Sequence, residues 1–137
     1  MRKRLIFCAM LFSAPAAAAP ESWLAGHWFG SGQPNDKSQM WLDETSADGE
    51  FHVLHRHCIQ GKAFDTTNDG TWSLKGDILT IRIEKVDGTV ISPRIDVYRV
   101  LSHSDTRQTY RYEATGFVYN SRKVPASFQM PACDLAS

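Results

Sequence analysis

The sequence predicts an all-β domain: an antiparallel up-and-down barrel of eight strands, with a β-sandwich as the alternative packing of the same strands. Three observations carry that expectation. After Leu24, apolar residues nowhere recur at helical spacing over three turns. Turn signals return at short intervals, among them Pro34-Asn35-Asp36, Asp48-Gly49, Lys75-Gly76-Asp77 and Asp87-Gly88. Between them the chain alternates apolar and polar residues, as strands with one wet face do. Consecutive strands of this kind lose their exposed edges by closing into a barrel.

The elements follow in order. Glu21 to Leu24 reads as a short helical turn, and Leu24 to Gly32 as the first strand, glycine-rich at both ends. Lys37 to Asp43 is the second, carrying Met40, Trp41 and Leu42. Asp43, Glu44, Asp48 and Glu50 bracket a turn and read as solvated acids. Glu50 to Ile59 is a long third strand with two faces. Phe51, Val53, His55, His57 and Ile59 form the expected core face, because three of the five are large and apolar; His52, Leu54, Arg56 and Cys58 form the other. Phe64 to Leu74 is the fourth strand, interrupted by the polar run Asp65 to Gly70. Ile78 to Lys85, the fifth, alternates strictly. Ile95 to Leu101 is the sixth, with Asp96 and Tyr98 opposite Val97 and Arg99. Gln108 to Ala114 is the seventh, with Tyr110 and Tyr112 on one side. The apolar fragments Phe117 to Tyr119 and Ala126 to Met130, around Asn120 to Pro125, read as an eighth strand and a C-terminal arm.

The first residues do not belong to this domain. Arg2, Lys3 and Arg4 precede an apolar Leu5-to-Phe12 stretch, and small residues run from Ser13 to Ala19. That is the pattern of a secretory signal peptide at 1–19, too short for a membrane span, leaving one domain over 20–137. The alanine-rich leader looks bacterial, so the expected location is periplasmic or secreted. No second long apolar run occurs, and the mature chain is expected to carry no transmembrane segment. The formal net charge is +0, and removing the basic leader turns the balance slightly acidic. That balance leaves no footprint for nucleic acid. In an oxidising compartment Cys58 and Cys133 are expected to form a disulfide tying the arm to the middle of the chain. The alternative is a free Cys58 thiol beside His57.

Leu24-Ala25-Gly26-His27-Trp28 resembles the opening of lipocalin-like proteins, where a Gly-x-Trp signature on the first strand plugs one end of the barrel. Gly70-Thr71-Trp72-Ser73-Leu74-Lys75-Gly76-Asp77-Ile78-Leu79-Thr80-Ile81 is similar to a line common in small bacterial lipocalin-like domains of unknown function. The resemblance implies a barrel that can hold a small ligand. It also implies a late-strand arginine stacked on the signature tryptophan, for which Arg111 and Arg122 are the candidates.

Candidate site residues follow from this reading. Trp41, Val53, His55, His57, Tyr98 and Tyr110 are the expected lining of a cavity for a small apolar or lipid-like ligand. Trp28, Trp72 and Phe117 are further aromatic candidates, for the lining or for the core. Arg82 and Arg99 read as solvated. His55 and His57, two apart on one strand face, form a second candidate: imidazoles that would take zinc or copper given further ligands. No cofactor is otherwise expected. Ser31 sits outside any nucleophile elbow, and no phosphate loop or Cys-x-x-Cys pair is present, so the chain reads as a non-enzymatic binding protein. Two alternatives remain: an exported inhibitor or immunity-type protein that contacts another protein through a rim loop or Pro20 to Leu24, and a metal-binding protein built on His55 and His57.

Overall fold

The computed structural model describes residues 23–134, and the expected signal peptide at 1–19 lies outside them. Eight strands follow in order: β1 (Gly26–Ser31), β2 (Gln39–Thr45), β3 (Glu50–Ile59), β4 (Lys62–Lys75), β5 (Ile78–Val86), β6 (Thr89–His103), β7 (Arg107–Tyr112) and β8 (Val118–Val124). Each pairs antiparallel with the next. β8 returns to β1 through His27–Val124 and Phe29–Arg122, so the sheet closes as an up-and-down barrel, not a sandwich. The described residues contain no helix, and the segment at Trp23 and Leu24 is a plain turn.

β4, β6 and β8 run further than alternation indicates. β4 is continuous over 14 residues, and the polar run Asp65 to Gly70 pairs with β3 throughout. β6 begins at Thr89, ahead of the expected Ile95, and β8 continues through Asn120 to Val124. The cause is shared by the first two. The β3–β4 and β5–β6 hairpins have tips exposed on both faces, so Lys62 to Thr66 and Thr89 to Val90 face water whichever way they point. No apolar period marks such residues as strand. β4 then bends at a bulge between Asp69 and Gly70. Gly70 is required there, because a Cβ would fall 1.7 Å from the Arg82 carbonyl oxygen.

One end of the barrel is plugged. Leu24, Trp28, Phe51, Val53, Trp72, Leu79, Ile81 and Ile83 belong to a single buried cluster. Leu24 and Trp28 are its most deeply buried members. The Trp28 indole N–H donates to the Leu24 carbonyl at 2.8 Å, and the Thr45 hydroxyl donates to the same oxygen. Trp23 stacks on His103 just outside, with ring centroids 3.9 Å apart. The segment before β1 therefore serves as the floor, not as strand.

The cation above the signature tryptophan is neither Arg111 nor Arg122. Lys123 Nζ lies over the Trp28 ring, while Arg111 pairs with Glu113 and Arg122 lies over the Phe29 and Phe128 rings. Phe128 belongs to the C-terminal arm, which packs outside the barrel wall. The expected Cys58–Cys133 disulfide is formed and fixes that arm to the end of β3. Arg56 reinforces the junction, donating to the Pro131 carbonyl and bidentately to Asp65.

Candidate functional site: a cavity inside the barrel

Above the plugged floor the barrel holds a cavity of about 380 Å³. Alternation along each strand decides what faces it. β5 contributes Leu79, Ile81 and Ile83, and β3 contributes Phe51 and Val53, which form the apolar part of the wall. Gln33, Gln39, His55, Arg94, Tyr112 and Tyr119 line it as well. None of these six is fully buried, and Gln33 belongs to the connection that leaves β1 at the end opposite the floor.

Of the expected lining, Trp41, Val53, His55, Tyr98 and Tyr110 face the cavity; His57 does not. It shares the parity of Val53 and His55, but β3 has passed the barrel mouth by then. His57 Nε2 instead approaches Asp36 Oδ2 at 3.9 Å in the β1–β2 connection. Trp72 packs into the core with its indole N–H on the Ser46 carbonyl, and Phe117 is exposed. Arg82 and Arg99 point outward, on Glu84 and Asp77. Among the described residues no group of three or more His, Cys, Asp or Glu is arranged to hold a metal ion.

The aromatic side chains form a continuous run across the lining. Trp41 meets Tyr119 edge-on at 5.8 Å, Tyr119 stacks on Tyr110, Tyr110 meets Tyr98 edge-on at 5.5 Å, and Tyr98 stacks on Tyr112 at 5.0 Å. Strand register sets these pairs, since Tyr110 lies opposite Tyr119 and Tyr98 opposite Tyr112.

Two carboxyl groups share this space with different partners. Asp96 accepts hydrogen bonds from the Tyr112 hydroxyl at 3.0 Å and from Arg94 at 3.3 Å. Asp43 has no hydrogen-bond donor among the described residues. It sits opposite Trp28 on β1 and Val53 on β3. The surface it keeps accessible faces the cavity, and burial pushes its carboxyl up to about 7. Burial, then the charges of Asp96 and Asp43, raises the Tyr98 phenol; burial and Asp43 raise that of Tyr110. His55 is open to solvent at the mouth, yet enough protein surrounds its ring to lower its pKa, with Arg94 adding to the effect. The Tyr110 hydroxyl lies beside Trp41 Nε1 and Ser121 Oγ, but neither atom meets hydrogen-bond geometry. Gln108 Oε1 is also buried without a partner.

Asp43, Arg94, Asn68 and Gln108 are lining residues that sequence reasoning passed over. For Asp43 the signal was present. Trp41, Asp43 and Thr45 occupy alternate positions, so a strand extended to Thr45 turns all three inward. Ending β2 at Asp43 put that carboxyl in a turn.

The fold and site define a closed eight-stranded antiparallel barrel with one plugged end and a partly polar internal cavity. No protein-family model, no curated protein and no solved structure matches the chain.

Proposed function

We propose that the protein is an exported, non-enzymatic binding module of the lipocalin-like kind, carrying a small ligand with an apolar body inside the barrel. The observation that carries this reading is the cavity itself. An eight-stranded barrel can be filled by its own side chains; here about 380 Å³ is left open above an apolar floor, at the lower end of the range for small-molecule sites. The lining sets the apolar side chains of β3 and β5 beside polar groups from the other strands, which suits an amphipathic molecule. Export is supported by the leader pattern and by the Cys58–Cys133 disulfide, which persists in oxidising compartments such as the bacterial periplasm. No helix among the described residues is long and apolar enough to cross a membrane.

The inhibitor alternative loses part of its support. Leu24, at the end of its candidate contact arm, is buried as the floor of the barrel. Native mass spectrometry of protein purified from the bacterial periplasm or culture medium tests the ligand reading. A non-covalent small-molecule adduct supports it, and co-purification of a protein partner on an empty barrel supports the inhibitor.

A further inference from the structure

We infer that the ligand of this barrel carries a protonated amine, seated on the Asp43 carboxylate and walled by Trp28, Trp41, Tyr98 and Tyr110. The inference rests on the reading of the cavity as a ligand site.

A buried carboxylate without a donor is unfavourable, and a partner supplied by a ligand relieves that cost. Asp43 has no such donor among the described residues. The cation on the lining, Arg94, is engaged by Asp96. Gln108 also borders the cavity, with its Oε1 buried and without a donor. The Asp43 carboxyl, which is open to the cavity, asks for a donor. An ammonium supplies three donors and no acceptor. Trp41 Nε1, buried without an acceptor in hydrogen-bond geometry, lies beside the Tyr110 hydroxyl.

The walls of the cavity also favour a cation. Aromatic faces attract cations, most strongly where water is excluded. Asp43 lies opposite Trp28 and two residues from Trp41 on the same face, and its charge acts on Tyr98 and Tyr110. A carboxylate head would instead meet Asp43 and Asp96 with a single, already paired arginine. The apolar side chains of β3 and β5, Phe51, Val53, Leu79, Ile81 and Ile83, accept the body of the molecule.

The inference also fixes a pH dependence. The titratable groups facing the cavity with Asp43 are His55 from β3, Arg94, Asp96 and Tyr98 from β6, Tyr110 and Tyr112 from β7, and Tyr119 from β8. The lining residues of β1, β4 and β5 do not titrate. An amine stays protonated across the neutral range, so its binding follows ionisation of Asp43. Affinity therefore falls as pH drops below about 7.

The test uses full-length mature protein and competition against the neutral fluorophore N-phenylnaphthylamine. Phenethylamine and phenethyl alcohol share an apolar body and differ in head charge. The expected result is an affinity for the amine at least about tenfold greater. That ratio falls to about one in Asp43→Asn, is retained in Asp43→Glu, and weakens from pH 7.5 to pH 5.5 by up to about tenfold per unit. Near-UV circular dichroism establishes that each variant is folded. Equal affinities, or an amine preference that survives Asp43→Asn, overturn the inference. If the fluorophore saturates the protein but neither competitor displaces it, the amine inference falls and the ligand site stands. If the fluorophore does not bind, both fall.

Discussion

Lys123 Nζ stands 5.4 Å from the centroid of the Trp28 ring, on the indole whose N–H is bonded to Leu24. The contact joins the last strand to the first and closes the barrel over its floor. Lys123→Ala should lower stability by about 1 kcal/mol, the worth of a partly desolvated cation–π contact. Lys123→Arg should recover most of it. Trp28→Ala removes the floor itself and should cost about 3–5 kcal/mol. Urea denaturation of the three variants measures the series.

The Cys58–Cys133 bridge spans 75 residues of sequence. On the chain-entropy account, opening a loop of that length removes about 4 kcal/mol. The barrel strands do not depend on the bridge for their pairing. The double Cys→Ser variant should therefore keep its β signature by circular dichroism while melting earlier, and proteases should reach the arm around Phe128 first.

Gly70 lies where β4 bends against β5, with no room for a Cβ beside the Arg82 carbonyl. Gly70→Ala should destabilise by about 1–3 kcal/mol or more, since backbone must move. Gly30→Ala should act differently. A Cβ there would fall 2.1 Å from the Trp41 indole, a cavity wall. Its signature is altered ligand uptake and tryptophan fluorescence in addition to lost stability.

Asp43 couples folding to pH. Its folded pKa of about 7 lies above the ordinary 3.8. The folded state thus holds its proton where the unfolded chain has released it. The neutral carboxyl's contribution is whole below about pH 4 and is lost as pH rises towards 7, at up to about 1.4 kcal/mol per unit, before levelling off. Asp43→Asn removes the dependence, so the variant's stability relative to wild type should climb across that window and then plateau. Denaturant midpoints at stepped pH follow it, and carbon-detected NMR of the carboxyl reads the pKa directly.

The sequence was informative where burial differs between faces. β3 was legible to the residue, and β5 to within one, because Phe51, Val53, Leu79, Ile81 and Ile83 face the interior while their neighbours meet more water. It was silent where both faces are wet, as in Lys62 to Thr66 at the tip of the β3–β4 hairpin. It misled where a polar residue points inward. Asp43, Asn68, Arg94 and Gln108 carry surface chemistry at interior positions, and only the register of neighbouring strands reveals them. The same holds for His57. Its alternation with Val53 and His55 is real, but the height of the barrel wall, which no local pattern encodes, leaves it outside.

The claim that the barrel interior is a ligand site is tested most directly by titrating N-phenylnaphthylamine into wild-type protein and into Val53→Trp, a substitution that fills the cavity from β3. The account predicts saturable one-to-one binding to the wild type, and loss of that binding in the variant while its near-UV spectrum shows a folded barrel. Absence of binding to the wild type, or equal binding to both proteins, would contradict it.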